Sequence, residues 1–129
     1  MILVEIVIAL AALQLAYFAL RVSQAREKYN VPAPATTGNE MFERFYRVQM
    51  NSLELIVVFI PAIWLFGEHI SPLWAAILGA IYLIGRFAYL YGYVADPKKR
   101  AAGFGLSLLP TLILLLGGLG GAVVHLLAR

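Results

Sequence analysis

Four polar side chains recur along one apolar stretch of the chain: Glu43, Arg47, Asn51 and Glu54. On a helix, with 100° per residue, they fall within about 80° of one another. Glu54 then lies about 10 Å beyond Arg47 along the axis, from a rise of 1.5 Å per residue. Gln49 points about 160° away from Arg47, on the other side of the same helix. On a second stretch, Tyr82, Arg86, Tyr89 and Tyr93 share a stripe about 60° wide. Guanidinium groups hold carboxylates by forked, charge-assisted hydrogen bonds, and amide and phenol groups add neutral donors. Arg47, Gln49, Asn51, Tyr89, Tyr93 and Arg100 therefore suit a small anionic ligand. Glu54 and Arg86 lie at similar depth, and the spacing predicts that Arg86 pairs with Glu54 or a neighbouring polar group, as a buried ion pair between the second and third helices. An unpaired carboxylate at that depth costs about 2.5–3.5 kcal/mol on insertion scales.

These residues sit in an apolar background. Of the 129 residues, 62% are hydrophobic and 13% charged, roughly half the charged share of a soluble domain. The mean hydropathy is +0.83. A soluble fold of this size has too little interior to hide so much apolar surface. A disordered chain has the opposite composition. A net charge of +3, with the bases at segment edges, argues against nucleic-acid binding. There is no cysteine, and two histidines far apart, His69 and His125, argue against a metal site. One all-α integral membrane domain over residues 1–129 is the reading that remains. Its four helices are expected at about 2–26, 39–66, 72–95 and 104–128, each near the ~20 residues that cross ~30 Å of hydrocarbon. Helices follow because lipid leaves no partner for an open backbone.

The connections orient the bundle. Arg21, Arg26, Lys28, Arg44 and Arg47 flank the first, and Lys98, Lys99 and Arg100 lie in the third. The positive-inside rule places residues 21–47 and 96–103 in the cytoplasm and both termini outside. The first segment has no basic leader region, which favours an anchor over a cleaved signal. Thr37 with Glu40 reads as a capping box that starts the second helix. Gly117 and Gly121 form a small-xxx-small face in the fourth helix, and Pro110 is expected to kink it. His69, His125, Trp64 and Trp74 read as interfacial residues.

The run Phe42-Glu43-Arg44-Phe45-Tyr46-Arg47-Val48-Gln49-Met50-Asn51-Ser52-Leu53-Glu54 resembles the signature of the MAPEG family, the membrane-associated proteins of eicosanoid and glutathione metabolism. Arg86-Phe87-Ala88-Tyr89-Leu90-Tyr91-Gly92-Tyr93 resembles the family's second block, and Thr36-Thr37-Gly38 also fits. The resemblance spans essentially the whole chain. It implies a homotrimer of four-helix subunits with glutathione, a co-substrate, bound between subunits near the cytoplasmic side. Arg47, Asn51, Glu54, Tyr89, Tyr93 and Arg100 would come from one subunit, and Arg26 and Gln49 from the next. Arg100 matches the arginine held to stabilise the glutathione thiolate. Two positions depart from the leukotriene-synthase pattern: Leu55 replaces a tyrosine, and Glu27 replaces a second arginine. A general detoxifying role fits better than a leukotriene substrate.

The implied activity is conjugation of the glutathione thiolate to hydrophobic electrophiles, and reduction of lipid hydroperoxides by the same thiolate. No metal is implied. One alternative is a non-catalytic, lipid-binding membrane scaffold of the same family. Such a scaffold lacks the arginines that hold glutathione, whereas this chain keeps Arg26, Arg47 and Arg100. Another is a small four-span proton-coupled exporter, which needs an acidic residue exposed near the midplane of a cavity. The short chain points to a bacterial inner membrane.

Overall fold

In the computed structural model, which describes residues 1–129, four helices account for nearly the whole chain and there is no strand. They are α1 (Ile2–Lys28), α2 (Glu40–His69), α3 (Pro72–Ala95) and α4 (Arg100–Leu127). Each is long and apolar enough to cross a membrane. The shortest has 24 residues, about 36 Å at 1.5 Å per residue. Large apolar side chains such as Leu13, Val57, Ile84 and Leu116 point outward. That suits a bilayer, where outward leucine carries no hydrophobic penalty.

The interior is built in tiers. Val4, Val7, Ala11, Phe59, Ile63 and Leu114 belong to the largest buried cluster, in which Phe59 and Tyr82 stack with centroids 3.8 Å apart. Phe18, Val48, Tyr89 and Leu90 form a second cluster. A third, Val22, Ala25, Val31 and Phe42, closes the end where the α1–α2 connection lies. Arg44 ties that end together. Its Nη1 donates to the carbonyl of Val94 at 2.8 Å, and its Nη2 pairs with Glu40 at 2.7 Å. Helix C-terminal carbonyls lack intrahelical donors, so Arg44 satisfies part of the α3 terminus.

Two starts differ from the expected ones. Asn39, not Thr37, caps α2: its Oδ1 accepts from the Phe42 N–H at 3.0 Å. Asn39 has extended backbone (φ −152°), the geometry in which a side-chain oxygen reaches the N3 amide. The Thr37–Glu40 box is thus replaced by a cap two residues on. α4 begins at Arg100 rather than about 104, after a single 3₁₀ turn at Pro97–Lys99. Asp96 starts that turn by accepting from the Lys98 N–H at 3.0 Å. Arg100 therefore occupies the first turn of a helix instead of a loop. α4 then runs unbroken through the buried Pro110.

Glycines set how closely α4 approaches its neighbours. A Cβ at Gly103 would collide with the Tyr89 backbone, and one at Gly85 would stand 2.7 Å from the Leu106 carbonyl carbon. The α3–α4 crossing is thus backbone against backbone, which only the smallest side chains permit. Gly117, Gly118 and Gly121 meet Phe66, Leu65 and His69 of α2. The Gly117–Gly121 face is a packing face, directed at α2.

Candidate functional site

Arg86 organises the middle of the basic half of the bundle. It is fully buried. Its Nε donates to Ser107 Oγ of α4 at 2.8 Å. Its Nη1 donates to Asn51 Oδ1 at 2.8 Å and to Ser52 Oγ at 3.1 Å, both on α2. The guanidinium carbon lies 4.6 Å from the Tyr89 ring centroid. Nη2 is buried and has no partner. Of the partners expected for Arg86, Glu54 is exposed and forms no ion pair with it, and the neighbouring polar groups Asn51 and Ser52 take its place. The reason is azimuth rather than depth. Glu54 stands about 160° from Ser52 on the α2 wheel, and Ser52 is on the buried face. Asn51 lies between the two faces and is within reach. Ser52 and Ser107 are not among the site residues that the sequence singles out. Two small hydroxyls on helices flanking a buried arginine are the signal that points to them.

Beside this network is a cavity of about 370 Å³ lined by Asn51, Tyr89, Arg100, Ala101 and Phe104. Three expected site residues, from α2, α3 and α4, therefore meet. The Tyr93 ring lies tilted against that of Tyr89, at 34° with centroids 5.5 Å apart. Arg100 is exposed and makes no hydrogen bond or ion pair within the chain. It stands at the N-terminus of a 28-residue helix, where unsatisfied N–H groups and the macrodipole add to its positive charge. Arg47 and Glu54 are exposed on the adjoining face of α2, also without partners in the chain. Arg100 gives the cavity its positive charge, and the buried Arg86 stands behind it, bonded to Asn51 and lying against the Tyr89 ring.

Two expected residues lie elsewhere. Arg26 turns to the α1–α2 connection. Its Nη1 donates to the carbonyls of Val31 at 3.2 Å and Ala35 at 2.6 Å, and its guanidinium lies 4.7 Å from the Phe42 ring centroid. Gln49 is half-buried on the far side of α2 and does not line the cavity. At the opposite end of the bundle the two histidines, distant in sequence, touch. The Nδ1 atoms of His69 and His125 are 2.7 Å apart. The Gly121 approach brings His69 of α2 against α4, and His125 follows one turn later on the same face. No third histidine or carboxylate joins them.

A family model described as the MAPEG family matches residues 4–120. The chain belongs to the MAPEG family. With four apolar helices as well, this MAPEG protein is an integral membrane protein. It is 46% identical over 114 residues to an uncharacterised protein of Synechocystis, covering 88% of this chain and 83% of that one. It is 45% identical over 120 residues to human microsomal glutathione S-transferase 2, covering 92% and 82%. It is 36% identical over 118 residues to leukotriene C4 synthase of Cavia porcellus, covering 92% and 79%. The residues that line the MAPEG chain's cavity come from the two sequence blocks that carry the resemblance and from the start of α4.

Proposed function

We propose that this chain is a membrane glutathione transferase working as a homotrimer, with its basic connections on the cytoplasmic side of a bacterial inner membrane. The observation that carries the reading is the cavity of Asn51, Tyr89 and Arg100, with an unpartnered guanidinium at a helix N-terminus. Relatives named as glutathione transferases support it.

Glutathione carries two carboxylates, an ammonium and a thiol. Arg47 and a neighbouring subunit's Arg26 hold the carboxylates by charge-assisted bonds. Glu54 meets the ammonium. Asn51, Tyr93 and the neighbouring subunit's Gln49 bond along the peptide. Arg86 already occupies the Asn51 oxygen, so the Asn51 amide N–H groups are left to face the ligand. A free thiol has a pKa of ~8.5, so only a few per cent is ionised at neutral pH. Arg100 and the α4 N-terminus favour the thiolate, and the thiol proton passes to water. The sulfur then forms a bond to an electrophilic carbon arriving through the bilayer, while the leaving group departs with its electron pair. With a lipid hydroperoxide, two thiols supply two electrons and give an alcohol, water and glutathione disulfide.

Detergent-purified protein should conjugate glutathione to chlorodinitrobenzene. Turnover supports the transferase reading. Absence of both turnover and glutathione binding would overturn it in favour of a lipid-binding scaffold.

Arg86 acts on this site as a positioning residue. Three charge-assisted hydrogen bonds contribute about 1.5–3 kcal/mol each. Taking the ion out of water costs several kcal/mol, which offsets much of that gain. Beyond stability, Arg86 fixes Asn51 and Tyr89. Arg86→Met leaves Asn51 Oδ1 and Ser52 Oγ without their donor, so it should lower the detergent melting temperature and also raise the Kd for glutathione roughly tenfold, the worth of one such bond. Calorimetric titration beside a melting curve checks both. A large melting loss with unchanged affinity would make Arg86 purely structural.

A further inference from the structure

A second tract of the molecule has the shape and charge of an amphiphile. A groove of about 650 Å³ runs along the α1–α3 seam, lined almost entirely by apolar side chains from Leu10 to Leu20 and by Leu83 and Phe87. Ten residues of helix span about 15 Å, half of ~30 Å of hydrocarbon and thus the depth of one leaflet. One turn further toward the basic end, Phe87 gives way to Tyr91, with ring centroids 6.4 Å apart, and Tyr17 to Arg21. There a second cavity, of about 360 Å³, is lined by both Arg21 and Arg44.

No carboxylate faces Arg21. Its Nη1 donates to the Tyr17 hydroxyl at 2.9 Å, and its guanidinium lies 5.2 Å from the Phe45 ring centroid. Arg44 shares its charge with Glu40 through Nη2, and its Nε is buried without a partner. Lys28, with Arg21, lines an adjoining cavity of about 240 Å³. The local charge is positive. Basic pockets between membrane helices on the cytoplasmic side take anionic headgroups.

This tract is separate from the Asn51–Tyr89–Arg100 cavity. On α3, Tyr91 lies about 160° from both Tyr89 and Tyr93. On α1, Arg26 lies about 180° from Tyr17, so a neighbour served by Arg26 leaves the seam facing lipid. We propose that the α1–α3 seam binds one anionic phospholipid, its acyl chain along Leu10–Leu20 and Phe87 and its phosphate on Arg21 and Arg44.

The test uses delipidated full-length protein in mild detergent. Dioleoyl phosphatidylglycerol, dioleoyl phosphatidylcholine and inorganic phosphate are titrated separately. Retained lipid is counted by native mass spectrometry, and thermal stabilisation is followed in parallel. Phosphatidylglycerol should bind at one lipid per subunit, roughly five- to tenfold tighter than phosphatidylcholine, as one arginine near an anionic headgroup allows. Phosphate alone should give no shift. Arg21→Gln should abolish the preference while phosphatidylcholine binding persists. Leu13→Trp, which fills the groove, should weaken both lipids. Equal binding of the two lipids, an unchanged preference in Arg21→Gln, or the same stabilisation by phosphate alone would overturn the proposal.

Discussion

Arg100→Ala is expected to keep glutathione binding and lose about a hundredfold in kcat, the usual effect of removing one preorganised charge from a developing anion. Arg100 lines the cavity with Asn51 and Tyr89 but forms no bond that holds the fold together. Its loss should therefore leave the melting temperature in place. In the proposed binding mode the carboxylates of glutathione rest on Arg47 and Arg26, so KM should change little. The pH profile gives a sharper signature. Arg100 stabilises the charged form of the thiol and so lowers its pKa. Without it, the bound thiol returns toward ~8.5. Activity of the variant should then climb as pH rises through that value, where the parent protein has already reached its plateau. Steady-state kinetics across pH checks both statements. A variant with unchanged kcat, or one that loses binding instead, would remove Arg100 from the role of thiolate stabiliser.

Gly103→Val should have the largest effect on the fold. A Cβ at Gly103 would overlap the Tyr89 backbone. Backbone cannot change rotamer, so α3 and α4 must separate. Overpacking of flexible cores typically costs about 1–3 kcal/mol, and a rigid contact should reach or exceed the top of that range. The same shift moves Tyr89 away from Arg100, so glutathione binding should fall together with the melting temperature. Gly105→Ala is the matched control. Nothing lies within 4 Å of a Cβ there, and alanine gains up to about 1 kcal/mol of helix propensity. Equal melting temperatures for Gly103→Val and the parent would show that the crossing is not close.

The helices are legible in the sequence because bilayer thickness and apolarity speak directly from composition. Their azimuths are not. Glu54 and Arg86 match in depth, which makes an ion pair the natural expectation. Pairing also needs the face of α2 that meets α3 and α4, which is the face of Ser52 and, at its edge, Asn51. Similarly, Thr37 and Glu40 have capping-box spacing, yet Asn39 provides the cap. Both residue types can cap, and the chain's entry angle decides between them. The start of α4 is hidden because Lys98, Lys99 and Arg100 read as a loop. Asp96 and Pro97 instead open a 3₁₀ turn that runs into the helix. That difference bears on function, since it puts Arg100 on a helix N-terminus. The contact of His69 with His125 depends on how closely Gly121 lets α4 approach α2. Spacing along one helix does not reveal that approach. The gathering of Asn51, Tyr89 and Arg100 into one cavity is legible, because family resemblance places them together independently of any geometry.

The most direct test is the ultraviolet thiolate absorbance of glutathione added to the purified protein at neutral pH, with proton release followed alongside. A saturable thiolate band and release of protons to solvent are expected, with loss of that band in Arg100→Ala. Glutathione that binds without forming thiolate, or an undiminished band in Arg100→Ala, would contradict thiolate stabilisation by Arg100.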